Sequence, residues 1–285
     1  MQNNSTFGLL RSLLLITSRM RKISVLKVVV VICVFSLPIQ TFAWGTLGHR
    51  IVGEIATSYL SANARLRVRA ILGNESVAMS SNWADFIKSD TSYKYLSPWH
   101  YLDFDSASSY NDVKSFLQKD TAVDAYTRLN FLVKQLKNYN LQQAKKVLYL
   151  RMLIHIVGDV HQPLHVGYNS DQGGNTIKIS WFNEPGNLHS VWDSYLIDFQ
   201  KLSYTEYTKA INFSTPQLRK KLQAQSIGDW FYDSYLICEK IHREIKHPQP
   251  RLGFEYNFHN IETVNDQLLK GGIRLAGLLN SIFAK

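Results

Sequence analysis

Residues 141 to 158 read as a helix that is apolar on almost every face. Leu148, Leu150, Met152, Leu153, Ile154, Ile156 and Val157 leave no polar stripe for water. Such a helix is stable only when other elements surround it, so the rest of the chain has to supply a shell. That shell is helical. Ile51, Val52, Ile55, Ala56 and Tyr59 share one helical face, and Ser61 can cap a second helix that stops at Gly73. Further amphipathic stretches cover 120 to 137, 189 to 199, 216 to 246 and 261 to 283. The one strand signal is Asn175 to Phe182, which alternates and is followed by the turn-prone Asn183-Glu184-Pro185-Gly186. The expected fold is therefore all-α, a multi-helix bundle with one small β-hairpin.

The 285 residues are 45% hydrophobic and 19% charged, enough to bury a full core, and they exclude collagen, low-complexity disorder and a disulfide-dense mini-protein. No internal repeat, Gly/Ser linker or shift of composition divides residues 44 to 285, so one domain is expected there.

The formal charge of +10 points towards an acidic partner, but much of it belongs to a leader. Arg11, Arg19, Arg21, Lys22 and Lys27 precede an apolar run from 28 to 37, Pro38 ends it, and Thr41-Phe42-Ala43 supplies small residues at the two positions a signal peptidase reads. The run is too short for a bilayer span, which needs about 20 residues. Residues 1 to 43 thus read as a signal peptide, with Met20 as an alternative start, and the product is expected to be secreted or periplasmic with no stable membrane association. Cleavage removes five of the 32 basic residues and no acidic ones, leaving 27 against 22, a formal charge of +5. It also removes Cys33, so Cys238 stands alone and no internal disulfide can form. Trp44 becomes a free amino terminus.

Of nine histidines, His155, His161, His165 and His189 fall between 155 and 189, together with Asp159 and Asp193. Side chains four apart on a helix project from one face, so His155 with Asp159, and His189 with Asp193, each present an imidazole and a carboxylate to a common point. Composition alone predicts about 0.4 such pairs, so two are suggestive. Metal clamps, satisfied core histidines and exposed helix pairs all fit that spacing. The apolar surroundings of His155 and Asp159 favour a cation, since a buried carboxylate needs a partner. The turn at Pro163 brings His165 back towards the same region.

With these residues the chain resembles the zinc-dependent extracellular type I nucleases, which are specific for single strands and often act as 3'-nucleotidases. The resemblance spans Trp44 to the last helix. It is carried by Trp44-Gly45 with Gly48-His49; Asn82-Trp83-Ala84-Asp85; Trp99-His100-Tyr101 with Asp103; His155 to His165; Gly173-Gly174-Asn175; and Asn187-Leu188-His189 with Val191-Trp192-Asp193. It implies three zinc ions. Asp85, His100 and His155 would bind one, and Asp159 would bridge it to another held by His49 and by the amine and carbonyl oxygen of Trp44. His165, His189 and Asp193 would bind the third. A terminal amine can serve as a ligand only after the leader is cut.

Five His and three Asp with no Cys suit catalytic zinc with open positions rather than a closed thiolate site. Three zinc ions, three aspartates and one hydroxide keep about +2, which suits a phosphodiester. In such a centre, two neighbouring ions lower the pKa of a shared water and aim it at phosphorus, while the third stabilises the departing oxyanion. The resemblance marks Asp85 as the catalytic carboxylate that orients the water, and implies single-stranded DNA, RNA and 3'-nucleotides as substrates, cut to 5'-phosphates. Tyr101 and Asp103 are similar in position to the family's base-contacting residues; Tyr101 also fits a core place and Asp103 a solvated loop. Asn175 fits either a substrate contact or a hairpin-shaping role. His161 and Trp192 read as groups packed behind the ligands, and His242, His247 and His259 as surface or structural residues.

The lone cysteine suggests a bacterial-type member, since eukaryotic members typically carry disulfides. Asp229-Trp230 and Asp233-Ser234 stand in a late motif where the second acid is more often Glu, and Ser194 falls where some relatives carry a base-binding Asn. The nearest rival is a zinc phospholipase C, which resembles these nucleases in scaffold but carries Glu in the place of Asp193. A zinc- or nucleic-acid-binding protein without turnover is the other alternative. No obligatory protein partner is implied, and a monomer is the expected state.

Overall fold

The computed structural model describes residues 44–104, 109–138 and 140–284; the expected signal peptide, with Met20 and Cys33, lies outside them. Helix α1 (Thr46–Ser58) leads into α2 (Ala62–Leu72), whose first turn is closed by Ser61 accepting from the Ala64 N–H at 3.2 Å and whose last by Gly73. Two short helical turns, Val77–Ser80 and Trp83–Phe86, and a 3₁₀ segment, Thr91–His100, carry the chain to α3 (Tyr110–Lys119) and α4 (Ala125–Leu136). Each of these two helices starts on a reciprocal cap, Ser109 with Asp112 and Asp124 with Thr127.

Helix α5 (Gln143–Val160) is the apolar helix read from the sequence, and Leu150 and every residue from Met152 to Val160 are buried. Helix α4 packs along it, and α1 and α2 reach it from other sides. The chain continues through 3₁₀ turns at Pro163–Val166 and Asn169–Asp171, strands β1 (Lys178–Trp181) and β2 (Glu184–Asn187), and a broken helical run from Leu188 to Asp198. Helices α6 (Tyr204–Ile211), α7 (Pro216–Ala224) and α8 (Ile227–Glu244) follow, then β3 (Arg251–Leu252) and the long α9 (Phe254–Ile282). Helix α9 lies against α1, α5 and α7 and closes the bundle. Truncating a buried side chain of α5 such as Ile154 or Ile156 to Ala would cost about 2–5 kcal/mol, because the crowded surroundings cannot collapse around the gap.

The all-α expectation holds, with five corrections. Tyr110–Lys119 is a helix that the sequence reading did not place. The stretch 216 to 246 is two helices, not one, because Ser226 accepts from the Asp229 N–H and restarts the backbone after Ala224. The last helix begins at Phe254 rather than 261. The hairpin reverses at Phe182 and Asn183, both with positive φ, so Glu184–Gly186 belongs to the second strand instead of the turn. A third strand joins them, with Ser180 and Trp181 pairing in parallel with Arg251 and Leu252.

One buried cation fastens the bundle behind α5. Arg274 of α9 has no exposed surface; it pairs with Asp233 and donates to Gln225 Oε1 at 2.7 Å and to His161 Nε2 at 2.9 Å. His161 Nδ1 in turn meets the Val157 carbonyl at 2.7 Å, so the residue that ends α5 is held from both sides of its ring. With both terminal nitrogens partnered in this way a buried guanidinium is tolerable, although its Nε has no partner; unpaired, it would be strongly destabilising.

Candidate metal centre

Six separate segments deliver eight His and Asp side chains to one buried region. His49 comes from α1, Asp85 from the turn Trp83–Phe86, His100 from the end of the 3₁₀ segment, and His155 and Asp159 from α5. His165 comes from Pro163–Val166, and His189 and Asp193 from the broken run after β2. All eight are buried. The run containing Asp193 is π-helical over Val191–Tyr195, an irregularity that re-aims a side chain relative to its i−4 neighbour.

The donor atoms fall into three groups, each with ligand atoms within 4.8 Å of one another: His49, His155 and Asp159; Asp85, His100 and His155; and His165, His189 and Asp193. Asp159 lies between the first two. Its Oδ1 is 3.3 Å from His49 Nε2, and its Oδ2 is 3.2 Å from His155 Nε2 and 3.1 Å from His100 Nδ1. Asp85 Oδ1 is 3.8 Å from His155 Nε2. In the third group Asp193 Oδ2 is 3.1 Å from His189 Nε2 and Oδ1 is 3.7 Å from His165 Nε2. Two donors held by one tetrahedral zinc at about 2.0–2.1 Å stand about 3.3 Å apart, so these spacings fit.

Carbonyl groups behind the rings decide which nitrogen faces inward. His155 Nδ1 meets Ser81 O at 2.6 Å, His165 Nδ1 meets His100 O at 2.8 Å, and His189 Nδ1 meets Gly173 O at 2.7 Å. Each carbonyl can only accept, so each Nδ1 carries a proton and Nε2 is the nitrogen turned towards the neighbouring donors. His49 is aimed by packing instead. Its ring stacks on His155, and a Cβ on Gly158 would come within 2.5 Å of His49 Nδ1, so only glycine leaves it room. Gln162, which the sequence reading passed over, donates to Asp193 Oδ1 while accepting the Leu164 N–H at 2.6 Å.

The electrostatics are those of a site built for cations. Burial lowers the pKa of His49 to about 4, holds His100 and His165 well below the ordinary imidazole value, and lowers His155, so these rings are neutral donors at pH 7. Burial also pushes Asp159 well above the ordinary carboxylate range. For Asp85 burial acts in the same direction, but His155, Lys88 and His49 outweigh it and the pKa falls; Lys88 Nζ lies 2.6 Å from Oδ1. Neither nitrogen of His49, nor Asp159 Oδ1, His165 Nε2 or Asp193 Oδ2, has a hydrogen-bond partner. Buried lone pairs left open on neutral imidazoles and carboxylates are satisfied by divalent cations, and the donor set of nitrogen and oxygen fits zinc.

Trp44 is fully buried at the start of α1, and the N–H of its neighbour Gly45 donates to the Asp193 carbonyl at 2.6 Å, which brings the beginning of the described chain beside the third group. Tyr101, next to buried His100, is 45% exposed and so is not a core residue. Asp103 is half-buried, and its charge helps to raise the pKa of His189, where Asp193 outweighs the effect of burial. Asn175 follows the glycine pair; its Nδ2 donates to Gln172 O at 2.9 Å and its Oδ1 is buried without a partner. His161 and Trp192 are buried behind the donors, as expected of packing groups, and His242 is paired rather than free, with Nε2 2.6 Å from Asp171 Oδ2.

A helical bundle that converges three His/Asp groups on one buried region has the side chains to hold metal ions. Comparison with known proteins narrows the class. The S1/P1 Nuclease family profile matches residues 44–284, and the chain belongs to that family. It is 31% identical over 273 residues to Endonuclease 3 of Arabidopsis thaliana, covering 85% of this chain and 89% of that protein. It is 31% identical over 164 residues to Nuclease S1 of Aspergillus oryzae, 54% of each, and 28% identical over 271 residues to Nuclease P1 of Penicillium citrinum, 84% of this chain and 97% of that one. The activity class is accordingly that of a nuclease, a hydrolase of nucleic-acid phosphodiesters. Among the described residues no helix is long and apolar enough to cross a membrane.

Proposed function

We propose that the processed chain is a zinc-dependent endonuclease that cuts single-stranded DNA and RNA to 5'-phosphates and also removes phosphate from 3'-nucleotides. The observation that carries this reading is the sharing of His155 between adjacent donor groups, with Asp159 Oδ2 3.1 Å from His100 Nδ1 of the neighbouring group and Asp159 Oδ1 3.8 Å from His165 Nδ1 of the third. Asp85, His100, His155 and Asp159 would hold one ion; Asp159, His49 and the amino and carbonyl groups of Trp44 a second; and His165, His189 and Asp193 the third. Bound there, zinc supplies Lewis acidity towards phosphoryl oxygen and a source of nucleophilic water near neutral pH.

The chain's own groups do the rest. Asp85, kept ionised by its neighbours, orients the attacking water along the line to phosphorus. As the new oxygen–phosphorus bond forms, the bond from phosphorus to O3' breaks. O3' leaves with a proton as the free 3'-hydroxyl, and the phosphate stays on the 5' side. Tyr101 offers an exposed ring on which an unstacked base can lie, with Asp103 and Asn175 as the polar side chains that the resemblance sets beside it. A base inside a duplex cannot reach such a ring without leaving its stack, which gives the preference for single strands. The reading of residues 1–43 as a cleaved leader is supported by a family match that begins at Trp44; a secreted or periplasmic, monomeric product is the expectation that goes with it.

The test is a side-by-side assay of the processed protein, dialysed against a chelator and then reloaded with zinc, on single-stranded DNA, RNA, a 3'-nucleotide and phosphatidylcholine. Loss of nucleic-acid cleavage on chelation and its return with zinc is the expected result. Cleavage that survives chelation overturns the metal mechanism, turnover confined to the lipid makes the protein a phospholipase C, and zinc binding without turnover makes it a binding protein.

A further inference from the structure

The 3₁₀ turn Asn169–Asp171 runs into Gln172, Gly173 and Gly174, all three in the left-handed region with φ of 55°, 60° and 81°. This loop holds His189 at two points. The ring Nδ1 donates to Gly173 O at 2.7 Å, and the backbone N–H donates to Gly174 O at 3.4 Å. The loop then presents Asn175. A Cβ on Gly173 would come within 2.4 Å of the Leu164 carbonyl, so the loop passes close beneath the segment that carries His165 as well.

Three successive residues with positive φ need an anchor to persist. Asp171 provides it. Its Oδ1 accepts the Gly174 N–H at 2.8 Å, and its Oδ2 accepts from His242 Nε2 at 2.6 Å. His242 stands on α8, a rigid helix packed against the Pro163–Val166 turn, and its Nδ1 faces the Cys238 carbonyl at 2.8 Å. Both ring nitrogens therefore face acceptors, so both carry protons and the ring is an imidazolium. Tyr168, edge-on at 4.7 Å, and Cys238 Sγ at 3.5 Å are the other titratable groups against it.

We propose that the Asp171–His242 ion pair is a clamp that positions the glycine loop, and through it the His189 imidazole and the Asn175 side chain. His242 touches none of the metal donors; it is a positioning residue. The proposal rests on reading His165, His189 and Asp193 as a zinc group. Its consequence is selective: weakening the clamp affects one ion of the three and the seating of the base, and leaves the Asp85/Asp159 groups intact.

The experiment measures zinc per chain for the processed, zinc-loaded protein across a graded chelator series, together with KM on single-stranded DNA and the melting temperature. For His242→Ala, one of three ions is expected to leave at about 10- to 100-fold lower chelator strength than in the parent, the range for loss of a group that orients a ligand, with KM raised. Asp171→Asn, which keeps size and shape, gives the same single-ion loss and carries the test if His242→Ala does not fold. His242→Gln, which restores one donor to Asp171, recovers part of the affinity. Release curves for all three ions that match the parent's, with only the melting temperature lowered, overturn the clamp. A parent protein that binds no zinc refutes the metal centre itself, a result distinct from a parent with three ions whose variants release them unchanged.

Discussion

The imidazoles of His49 and His155 lie stacked, with centroids 4.0 Å apart and planes 16° from parallel, although one comes from the first helix of the described chain and the other from the buried central one. Their contact makes the spacing between the two Asp159-linked groups a property of how α1 crosses α5. Gly158 sets that crossing at its narrowest point. In Gly158→Ala the new methyl group would occupy the place of His49 Nδ1, and the ring would have to move. The expected outcome is loss of zinc from the His49 group and a fall in activity of about 10- to 100-fold, with helical content unchanged by circular dichroism. Full zinc content in this variant would show that His49 is not a ligand.

Tyr101 is an exposed aromatic that directly follows the donor His100 in sequence. If a base stacks on it, Tyr101→Ala raises KM for single-stranded DNA by about 5- to 100-fold, the equivalent of about 1–3 kcal/mol of stacking, and leaves zinc content alone. Tyr101→Phe keeps KM near the parent value. Steady-state kinetics on an unstructured oligonucleotide decides between them, and an unchanged KM in the alanine variant removes Tyr101 from the substrate site.

Burial of Trp44 and the Gly45–Asp193 hydrogen bond place the start of the described chain beside the third donor group. Two extra residues left before Trp44 convert the proposed amine ligand into an amide, which does not coordinate as an amine does. Such a protein is expected to hold two zinc ions rather than three and to lose most of its activity. Atomic emission on the purified protein measures this, and three ions with normal turnover would exclude the terminal amine as a ligand.

The Asp171–His242 pair has a defined pH window. Hydrogen bonds to Asp171 and the Cys238 carbonyl raise the His242 pKa against the effect of burial, so its contribution is complete below the ordinary 6.5 and fades as pH climbs through the raised value. The Asp171 pKa is lowered against burial by His242 and the Gly174 N–H, so its contribution is complete above 3.8 and fades as pH falls through the lowered value. The difference in melting temperature between the parent and His242→Gln is therefore expected to be largest between these limits and to shrink on either side. A difference that does not vary with pH would mean that the pair is held by shape rather than charge.

The buried helix and the two acidic–imidazole pairs, one on it and one on the run after β2, were readable because burial and the helical period are local properties. Helix Tyr110–Lys119 was not placed, although its two buried residues Val113 and Leu117 stand at helical spacing and Ser109 with Asp112 caps it. The break between α7 and α8 escaped because the amphipathic period runs through Ser226 without interruption, although the Ser226–Asp229 cap was there to be seen. Strand β3 is two residues long and exists only because Ser180 and Trp181 lie beside it, a relation between distant segments. Phe182 at φ 48° defies its own preference, and no residue-type rule would place a hairpin turn there. The donors could be named from spacing and resemblance. Gln162, the Ser81 carbonyl and the Asp171–His242 pair could not, because a group that steers a ligand from behind needs no motif, only proximity.

Cys238, the one cysteine among the described residues, is sealed in α8 with no exposed surface, and burial pushes its thiol pKa up. A lone inert sulfur gives the redox state of the surrounding fluid no hold on this bundle. Reductants that loosen disulfide-linked proteins should leave the described bundle standing.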